Sequence, residues 1–445
     1  MSDYDWFTIN SDASQAITKM LKQNGDYKHT LNYSFLKNLL PCTENNFKLD
    51  WNDIEKIFPD LVAAMKNTPQ EKDYHAEGDV WTHTRMVVDA LIDNSEYRKL
   101  PYKEQEIMFW TVLFHDIGKP GVTCRNEENN RITSRGHSKR GAQDSRLLMW
   151  YAGFPPEIRE SVARIIMVHQ YPFTWINEAN TFQLRELSQS MKMNHLKLMA
   201  QADALGRETI PLNEKKAILD KVDLFAFACE EEKCLMLPWH YDFPNLHAER
   251  LYWEGHGESY EGRVVFREEC SDVIMLSGLP ASGKDTWVSK FGEGKPVLSF
   301  DNARALYGFK QNDNHGEAIQ YVMKEAKKLL AKKEPFIWNA THLSPLTREK
   351  NLNLLRAYGA TVRIIHLEND PNTLIKRNDK RDTTLESKKI LSAAYKWEPP
   401  LPTEAHEMMW WKDNAPIHLE FLTSKKDEDS PWLFSKNNVE RKFKP

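Results

Sequence analysis

No CxxC pair occurs in this chain, and its five cysteines (Cys42, Cys124, Cys229, Cys234 and Cys270) are scattered and odd in number. That pattern argues against a disulfide framework, and free thiols in a reducing cytoplasm are expected. Apolar runs stay far below membrane-spanning length, so no membrane partner is expected. The opening MSDYDWFTIN has no basic stretch followed by an apolar one and does not read as a signal peptide. A basic excess is also missing: the net charge is −4, so any contact with nucleic acid must come from local patches. Internal repeats and low-complexity tracts are absent. What remains is an ordinary globular composition, 41% hydrophobic and 28% charged over 445 residues, enough for two or three domains.

The clearest feature present is Gly278-Leu279-Pro280-Ala281-Ser282-Gly283-Lys284-Asp285-Thr286. The apolar run Val273 to Ser277 before it reads as a buried parallel strand, and TWVSKF after it can start a helix. Strand, glycine-rich turn and helix form the frame of a phosphate-binding loop. Gly278 and Gly283 let successive amides point at one phosphate, and the helix N-terminus adds partial positive charge. Lys284 would reach the β- and γ-phosphates of ATP, with Ser282, Asp285 and Thr286 completing the nucleotide-binding set. A turn that binds nothing is the competing reading. Asp285 stands where Ser or Thr usually holds Mg²⁺. A carboxylate beside a triphosphate is repulsive unless a metal lies between them. Asp285 therefore either binds Mg²⁺ or points away and leaves the hydroxyl role to Thr286.

Upstream, residues 1–70 are polar, with helical periodicity around Ala13 to Leu21 and Ile54 to Met65, and read as a helical cap. Residues 71–235 carry spaced histidines. His83 lies in the helical pattern WTHTRMVVDALI. His115 and Asp116 end IMFWTVLFHDIGKP, a nearly all-apolar run that Gly118 and Pro120 stop. A charge at the end of a core helix is costly unless paired or metal-bound. His137 heads another helical pattern, His169 closes VARIIMVHQ, and Asp203 lies in LMAQADALGR. Imidazole and carboxylate suit a divalent cation, and helical bundles build metal sites from several helices. Any one of these histidines taken singly would read as a satisfied core residue.

Together, these residues resemble the HD superfamily of metal-dependent phosphohydrolases. His83, His115, Asp116 and Asp203 fall on its H…HD…D pattern. His137 and His169 fall where members with a second metal place extra histidines. HAEGDVWTHT and ADALGR look like the HD domain of bacterial tRNA nucleotidyltransferases. The resemblance, over about 130 residues, implies an all-helical fold and phosphoester hydrolysis with one or two ions such as Mn²⁺, Co²⁺ or Ni²⁺. A metal would lower the pKa of a bound water and stabilise phosphoryl charge. Lys119 is either a phosphate-facing cation or a solvated helix-end lysine.

Residues 236–270 are rich in aromatics, Pro and Gly and read as a linker packed on both neighbours. Beyond it, residues 271–425 alternate strand and helix. PVLSF, PFIW, TVRIIHL and IHLEFL read as strands, while 316–330, 345–358 and 386–395 read as helices. This predicts a parallel sheet covered on both faces. Asp301 follows the second strand, where ligands of such sheets bind, and can accept a proton from an attacking hydroxyl or cap the next helix. Arg304 could hold an acceptor phosphate. Arg377, Lys380 and Arg381 form a short basic run that fits a lid. Residues 426–445 read as a polar tail.

This region resembles the 5′-OH polynucleotide kinase family. The matches are the phosphate loop, Asp301 with Arg304, Asn339-Ala340-Thr341, and Arg377 to Arg381. The resemblance implies that Lys284 and Thr286 bind ATP phosphates with Mg²⁺, and that Asp301 is the general base. It further implies that Arg304 reads the acceptor's 3′-phosphate and that Arg377 and Arg381 close the lid. His342, where such kinases often carry asparagine, is a departure. An N-terminal all-α HD domain followed by a C-terminal α/β P-loop kinase looks like the bacterial HD-Pnk type of end-healing enzyme. Such an enzyme acts on RNA or DNA ends. With no ligase signature in the chain, sealing would fall to a separate ligase. The alternative is a nucleoside or sugar kinase fused to a nucleotide phosphohydrolase.

Overall fold

The computed structural model describes residues 31–208, 212–255, 270–308, 316–380, 385, 387–413 and 415–421. The periodic stretch Ala13 to Leu21, Arg381 and the polar tail lie outside them.

The described residues between 31 and 255 form helices joined by loops, with a two-stranded hairpin at Cys124–Arg125 and Ile132–Thr133. The longer helices are α1 (Trp51–Ile57), α2 (Pro59–Lys66), α3 (Val80–Asp93), α4 (Tyr102–Phe114), α5 (His137–Ala152), α6 (Pro156–Val168), α7 (Thr181–Ser188), α8 (Met193–Leu205), α9 (Leu212–Glu231) and α10 (Leu246–Glu254). The periodicity over Ile54 to Met65 predicts one helix, but the chain forms two. Pro59 disfavours helical backbone at Phe58, which sits at φ −118° and ψ 48°. Asp79 starts α3 by accepting from Thr82 N at 2.9 Å. Every residue of α4 from Gln105 to Phe114 is buried, as expected of a helix apolar on all sides. The segment 31–66 belongs to the same core: Leu36, Leu40, Ile54 and Phe58 pack in one cluster with Phe114 and Leu198.

The sheet half holds six strands: β1 (Asp272–Ser277), β2 (Val297–Ser299), β3 (Phe336–Asn339), β4 (Thr361–Glu368), β5 (Glu407–Lys412) and β6 (Ala415–Ile417). Their order is β2-β3-β1-β4-β5-β6, parallel throughout except for the β5/β6 pair. The chain passes through α11 (Lys284–Phe291), α12 (Phe300–Leu306), α13 (Gly316–Ala331), α14 (Pro345–Ala357), α15 (Pro371–Asp379) and α16 (Ser387–Tyr395). β1 is an apolar run and β4 mixes apolar residues with Arg363, His366 and Glu368, and both are buried on both faces as central parallel strands require. The expected last strand IHLEFL is corrected. Only Ile417 of it is in a strand, and the sheet is completed by EMMWWK at 407–412. That segment lacks β-branched residues and becomes a strand by pairing with β4.

Helices α5 and α6 form a hairpin that reaches both halves. Its turn end enters the sheet half, where Leu147 and Trp150 share a buried cluster with Leu279, Leu374, Ala394 and Trp397. Arg159 is fully buried and grips Glu368 at the end of β4 through two parallel bonds of 2.8 and 2.7 Å. Its Nε donates to Glu160 at 2.8 Å, and Arg146 Nε donates to Glu160 at 2.9 Å. Burial pushes the Glu160 carboxyl up, but Arg146, Arg159 and Arg164 more than offset this and bring it down to about 2. A depressed carboxyl stabilises the fold fully above its usual 4.5 and loses that contribution as pH falls toward 2. The linkage is on the order of 3 kcal/mol. Thermal unfolding followed by calorimetry from pH 7 to pH 3 is expected to show a falling Tm. In Glu160→Gln the Tm at pH 7 is lower and the acid-induced drop is smaller.

Candidate functional site

The far end of the α5/α6 hairpin meets α3, α4 and α8. His137 is the first residue of α5 and His169 the C-cap of α6, and their Nε2 atoms lie 3.2 Å apart. Gly118 permits this approach, since a Cβ there would lie 2.4 Å from both Gly141 N and His137 O. All six residues expected as ligands converge. His83, His115 and Asp203 present one ligand atom each within 4.8 Å of one another, and so do Asp116, His137 and His169. Asp116 lies between the groups. Its Oδ2 is 3.2 Å from His115 Nε2 and 3.7 Å from His83 Nε2, while its Oδ1 is 3.5 Å from His137 Nε2.

The tautomers are set from outside. His115 Nδ1 faces Val112 O at 2.8 Å, His137 Nδ1 faces Ser134 O at 2.8 Å, and His169 Nδ1 faces Ile166 O at 2.7 Å. A neutral ring that donates from Nδ1 turns the Nε2 lone pair inward. Burial keeps His169 neutral, pushing it down to about 3 with help from His137 and His115. Burial also pushes His137 down. Asp116 and Asp203 resist the upward push of burial and are held ionised, Asp116 chiefly by His115 and Lys119, Asp203 chiefly by Arg207. His83 Nε2, His115 Nε2 and both Asp116 oxygens are buried without a well-directed hydrogen bond. Buried polar atoms left this way, in a set of imidazoles and carboxylates, fit one or two divalent cations. Lys119 is buried, with Nζ 2.7 Å from Asp116 Oδ2 and donating to Gln70 Oε1 at 2.6 Å, so it is not a solvated helix-end lysine.

In the sheet half the loop after β1 turns on positive φ at Gly278 (147°), Ala281 (62°) and Gly283 (99°). Ala281 pays steric strain for this, a cost that clusters where a loop must aim its amides. A Cβ on Gly278 would lie 2.4 Å from Leu367 O. Lys284 opens α11 and donates to the carbonyls of Gly278 and Leu279 at 3.0 and 2.9 Å. Ser282 Oγ and Arg377 Nη1 are buried with no hydrogen-bond partner, and a Cβ on Gly283 would lie 3.2 Å from that Nη1. A buried guanidinium nitrogen over the mouth of such a loop favours an anion. Asp285 Oδ1 accepts from Asn339 Nδ2 at 2.8 Å. Thr286 lies in the first turn of α11.

Asp301 is 72% exposed and paired with Arg304, three residues along α12. The cap of α12 is Ser299, whose hydroxyl accepts from Asp301 N and Asn302 N, so the capping reading of Asp301 is set aside. His342 is buried at φ 41°, with Nδ1 2.6 Å from Leu276 O and Nε2 2.9 Å from Asn351 Nδ2. It braces β1 and α14 and presents no ring nitrogen to an acceptor. Arg377 lies on α15.

A glycine-rich loop between a buried parallel strand and a helix, under a basic side chain, defines a P-loop kinase-like domain. Residues 273–397 match the family model of the AAA domain. Among solved structures, the chain is similar to a gluconokinase from Sinorhizobium meliloti 1021, at 16% identity over 34% of this chain and 86% of that one, with a TM-score of 0.24. At that score the overlap is too loose to speak for fold or substrate. No curated protein sequence matches the chain.

Sequence reasoning passed over two partners of the histidine cluster. Arg207 holds Asp203 through bonds of 3.0 and 2.6 Å, and its place four residues on is the helical spacing that signals such a pair. Glu77 sets His83, the one cluster histidine turned by a side chain. Its Oε1 lies 2.9 Å from His83 Nδ1 and 2.8 Å from His75 Nδ1, and its Oε2 accepts from Glu208 N at 3.1 Å. Carboxylates behind a ligating histidine typically sustain metal affinity by roughly 10- to 100-fold. Glu77→Gln is therefore expected to weaken Mn²⁺ binding by about tenfold or more in calorimetric titration, with little change in helical content by circular dichroism.

Proposed function

We propose that this chain is a bifunctional end-healing enzyme for nucleic acids, combining an ATP-dependent 5′-hydroxyl polynucleotide kinase with a metal-dependent 2′,3′-phosphoesterase. The observation that carries the reading is that one chain assembles two separate sites, each of a kind that supports phosphate chemistry. One is a P-loop with Ser282 Oγ and Arg377 Nη1 buried and unpartnered around its mouth. The other is the cluster in which Asp116 lies between His83, His115 and Asp203 on one side and His137 and His169 on the other.

In the kinase half, Lys284 and the loop amides hold the β- and γ-phosphates of ATP, and Arg377 and Arg381 neutralise charge that develops on the transferring group. Asp285, whose Oδ1 accepts from Asn339, and Thr286 are the residues that would hold Mg²⁺. Asp301 is the base for the acceptor hydroxyl. Its pairing with Arg304 supports a simple order of events. An acceptor phosphate engages Arg304, the pair opens, and the freed Asp301 takes the proton of the incoming 5′-hydroxyl.

In the helical half, His83, His115 and Asp203 would hold one cation and Asp116, His137 and His169 a second. A transition metal there supplies Lewis-acid polarisation of the phosphoester and activation of water. The Nδ1 contacts of His115, His137 and His169 keep their Nε2 atoms aimed inward, and Lys119 adds a positive charge beside Asp116. The substrate would be a 2′,3′-cyclic phosphate or a terminal phosphomonoester. The product pair, a free 3′ end and a 5′-phosphate, is what a separate ligase requires.

The test uses a labelled RNA oligonucleotide with a 5′-hydroxyl and a 2′,3′-cyclic phosphate, incubated with ATP and Mg²⁺ with or without Mn²⁺, Co²⁺ or Ni²⁺. The wild type is expected to phosphorylate one end and dephosphorylate the other. Lys284→Ala should abolish only the first reaction and Asp116→Ala only the second. Asp301→Asn should lower kinase turnover by roughly 100-fold or more, as for loss of a general base. If neither terminus changes with wild-type protein, the polynucleotide reading fails, and nucleosides and sugars become the acceptors to try.

A further inference from the structure

The phosphate loop is braced from outside its own domain. Asn369, the residue after β4, donates from Nδ2 to Ser282 O at 2.7 Å. The carbonyl of the same Asn369 accepts from Trp150 Nε1, on α5 of the helical half, at 3.1 Å. Both bonds are buried, and Asn369 and Trp150 are each 3% exposed. The neighbouring residue Glu368 is the one Arg159 grips, and Leu279 of the loop shares a buried cluster with Leu147 and Trp150. The helical half thus holds the last residue of β4, the residue that follows it and the wall of the loop itself.

The chemistry of the peptide unit gives this brace a direction. The carbonyl of Ser282 and the amide N–H of Gly283 belong to one planar trans peptide, so they point opposite ways. Fixing the carbonyl toward Asn369 therefore fixes that N–H on the opposite side of the peptide, in a loop segment where a Cβ on Gly283 would lie 3.2 Å from Arg377 Nη1. A phosphate-binding loop works by holding such amides in place before its ligand arrives. Asn369 can hold the peptide only if its own backbone is held, and Trp150 supplies that constraint.

We propose that Trp150 is a positioning residue for the phosphate-binding loop, acting through Asn369 to orient the Ser282–Gly283 peptide, so that nucleotide affinity in the sheet half depends on a side chain of the helical half. The inference rests on the loop being a nucleotide site, and the test separates the two ideas. Binding of ATP with Mg²⁺, and of inorganic tripolyphosphate, is measured by titration calorimetry on the full chain. The proteins are wild type, Lys284→Ala, Trp150→Phe and Asn369→Ser, each with its Tm recorded. Trp150→Phe keeps an aromatic ring in the cluster and removes the indole N–H. Asn369→Ser removes the amide from the sheet side and leaves Trp150 in place. Both variants are expected to bind ATP and tripolyphosphate about five- to tenfold more weakly than wild type, the size of one buried hydrogen bond. If wild type binds ATP and both variants stay within twofold of it, the proposal is overturned, whatever their Tm. If Trp150→Phe does not fold, Asn369→Ser decides by the same criterion. If wild type binds no ATP, or Lys284→Ala binds as well as wild type, the nucleotide site itself is refuted and the proposal goes with it.

Discussion

An ionised carboxylate buried inside a helical core is the constraint around which the N-terminal half is built. Asp116 is 1% exposed and sits at the end of a helix with no polar face. Leaving such a charge without compensation would cost more than a domain of this kind can spare. The chain answers by bringing five elements to the same point. α4 carries Asp116 on the turn that follows it, the close contact of Gly118 with Gly141 draws α5 in, and α6 returns beside α5 to deliver His169. α3 and α8 contribute His83 and Asp203. The backbone carbonyls that engage the histidine Nδ1 atoms come from the last turns of α4 and α6 and from Ser134 in the turn before α5, so helix position and ring orientation are fixed together.

The same problem recurs where the halves meet, and it is solved with opposite charge in place of imidazole. Arg159 and Glu368 are both almost wholly buried and meet face to face through two parallel bonds. The Arg159 guanidinium also lies 4.8 Å from the centroid of Trp397, which in turn meets Trp150 edge-on. A buried pair of this kind contributes less to net stability than its geometry suggests, because desolvation takes back much of the attraction. Breaking it is another matter, since the remaining charge is then buried with nothing opposite. The pair therefore dictates one docking arrangement and penalises the others.

What could be read from the chain alone divides along sequence distance. The phosphate loop was legible because its frame is local: strand, turn and helix follow one another within twenty residues. The histidine cluster was legible for a different reason. His115 and Asp116 are adjacent in an apolar run where a charge is costly unless paired or metal-bound, and the other histidines follow in a recognisable order. Arg207 was signalled only by its helical spacing from Asp203, and Glu77, two residues from His75 and six from His83, had no periodic place that would tie it to either ring. The strand at 407–412 was missed because Met and Trp favour no single period, and its pairing with β4 is a tertiary fact. His342 was noticed as a departure, yet its brace between Leu276 and Asn351 needed coordinates. Trp150 and Arg159 were silent, since their partners stand 219 and 209 residues away.

The α5/α6 hairpin runs from the histidine cluster to the phosphate loop without a break at a domain boundary. From His137 to Trp150 a helix rises about 20 Å, and its two ends carry contacts of the two centres. A fragment beginning at residue 270 would expose Leu279, Leu374, Ala394 and Trp397 to water and strip Glu368 of its partner. A cut there divides a shared apolar cluster and a buried ion pair, so each half leans on the other for part of its packing.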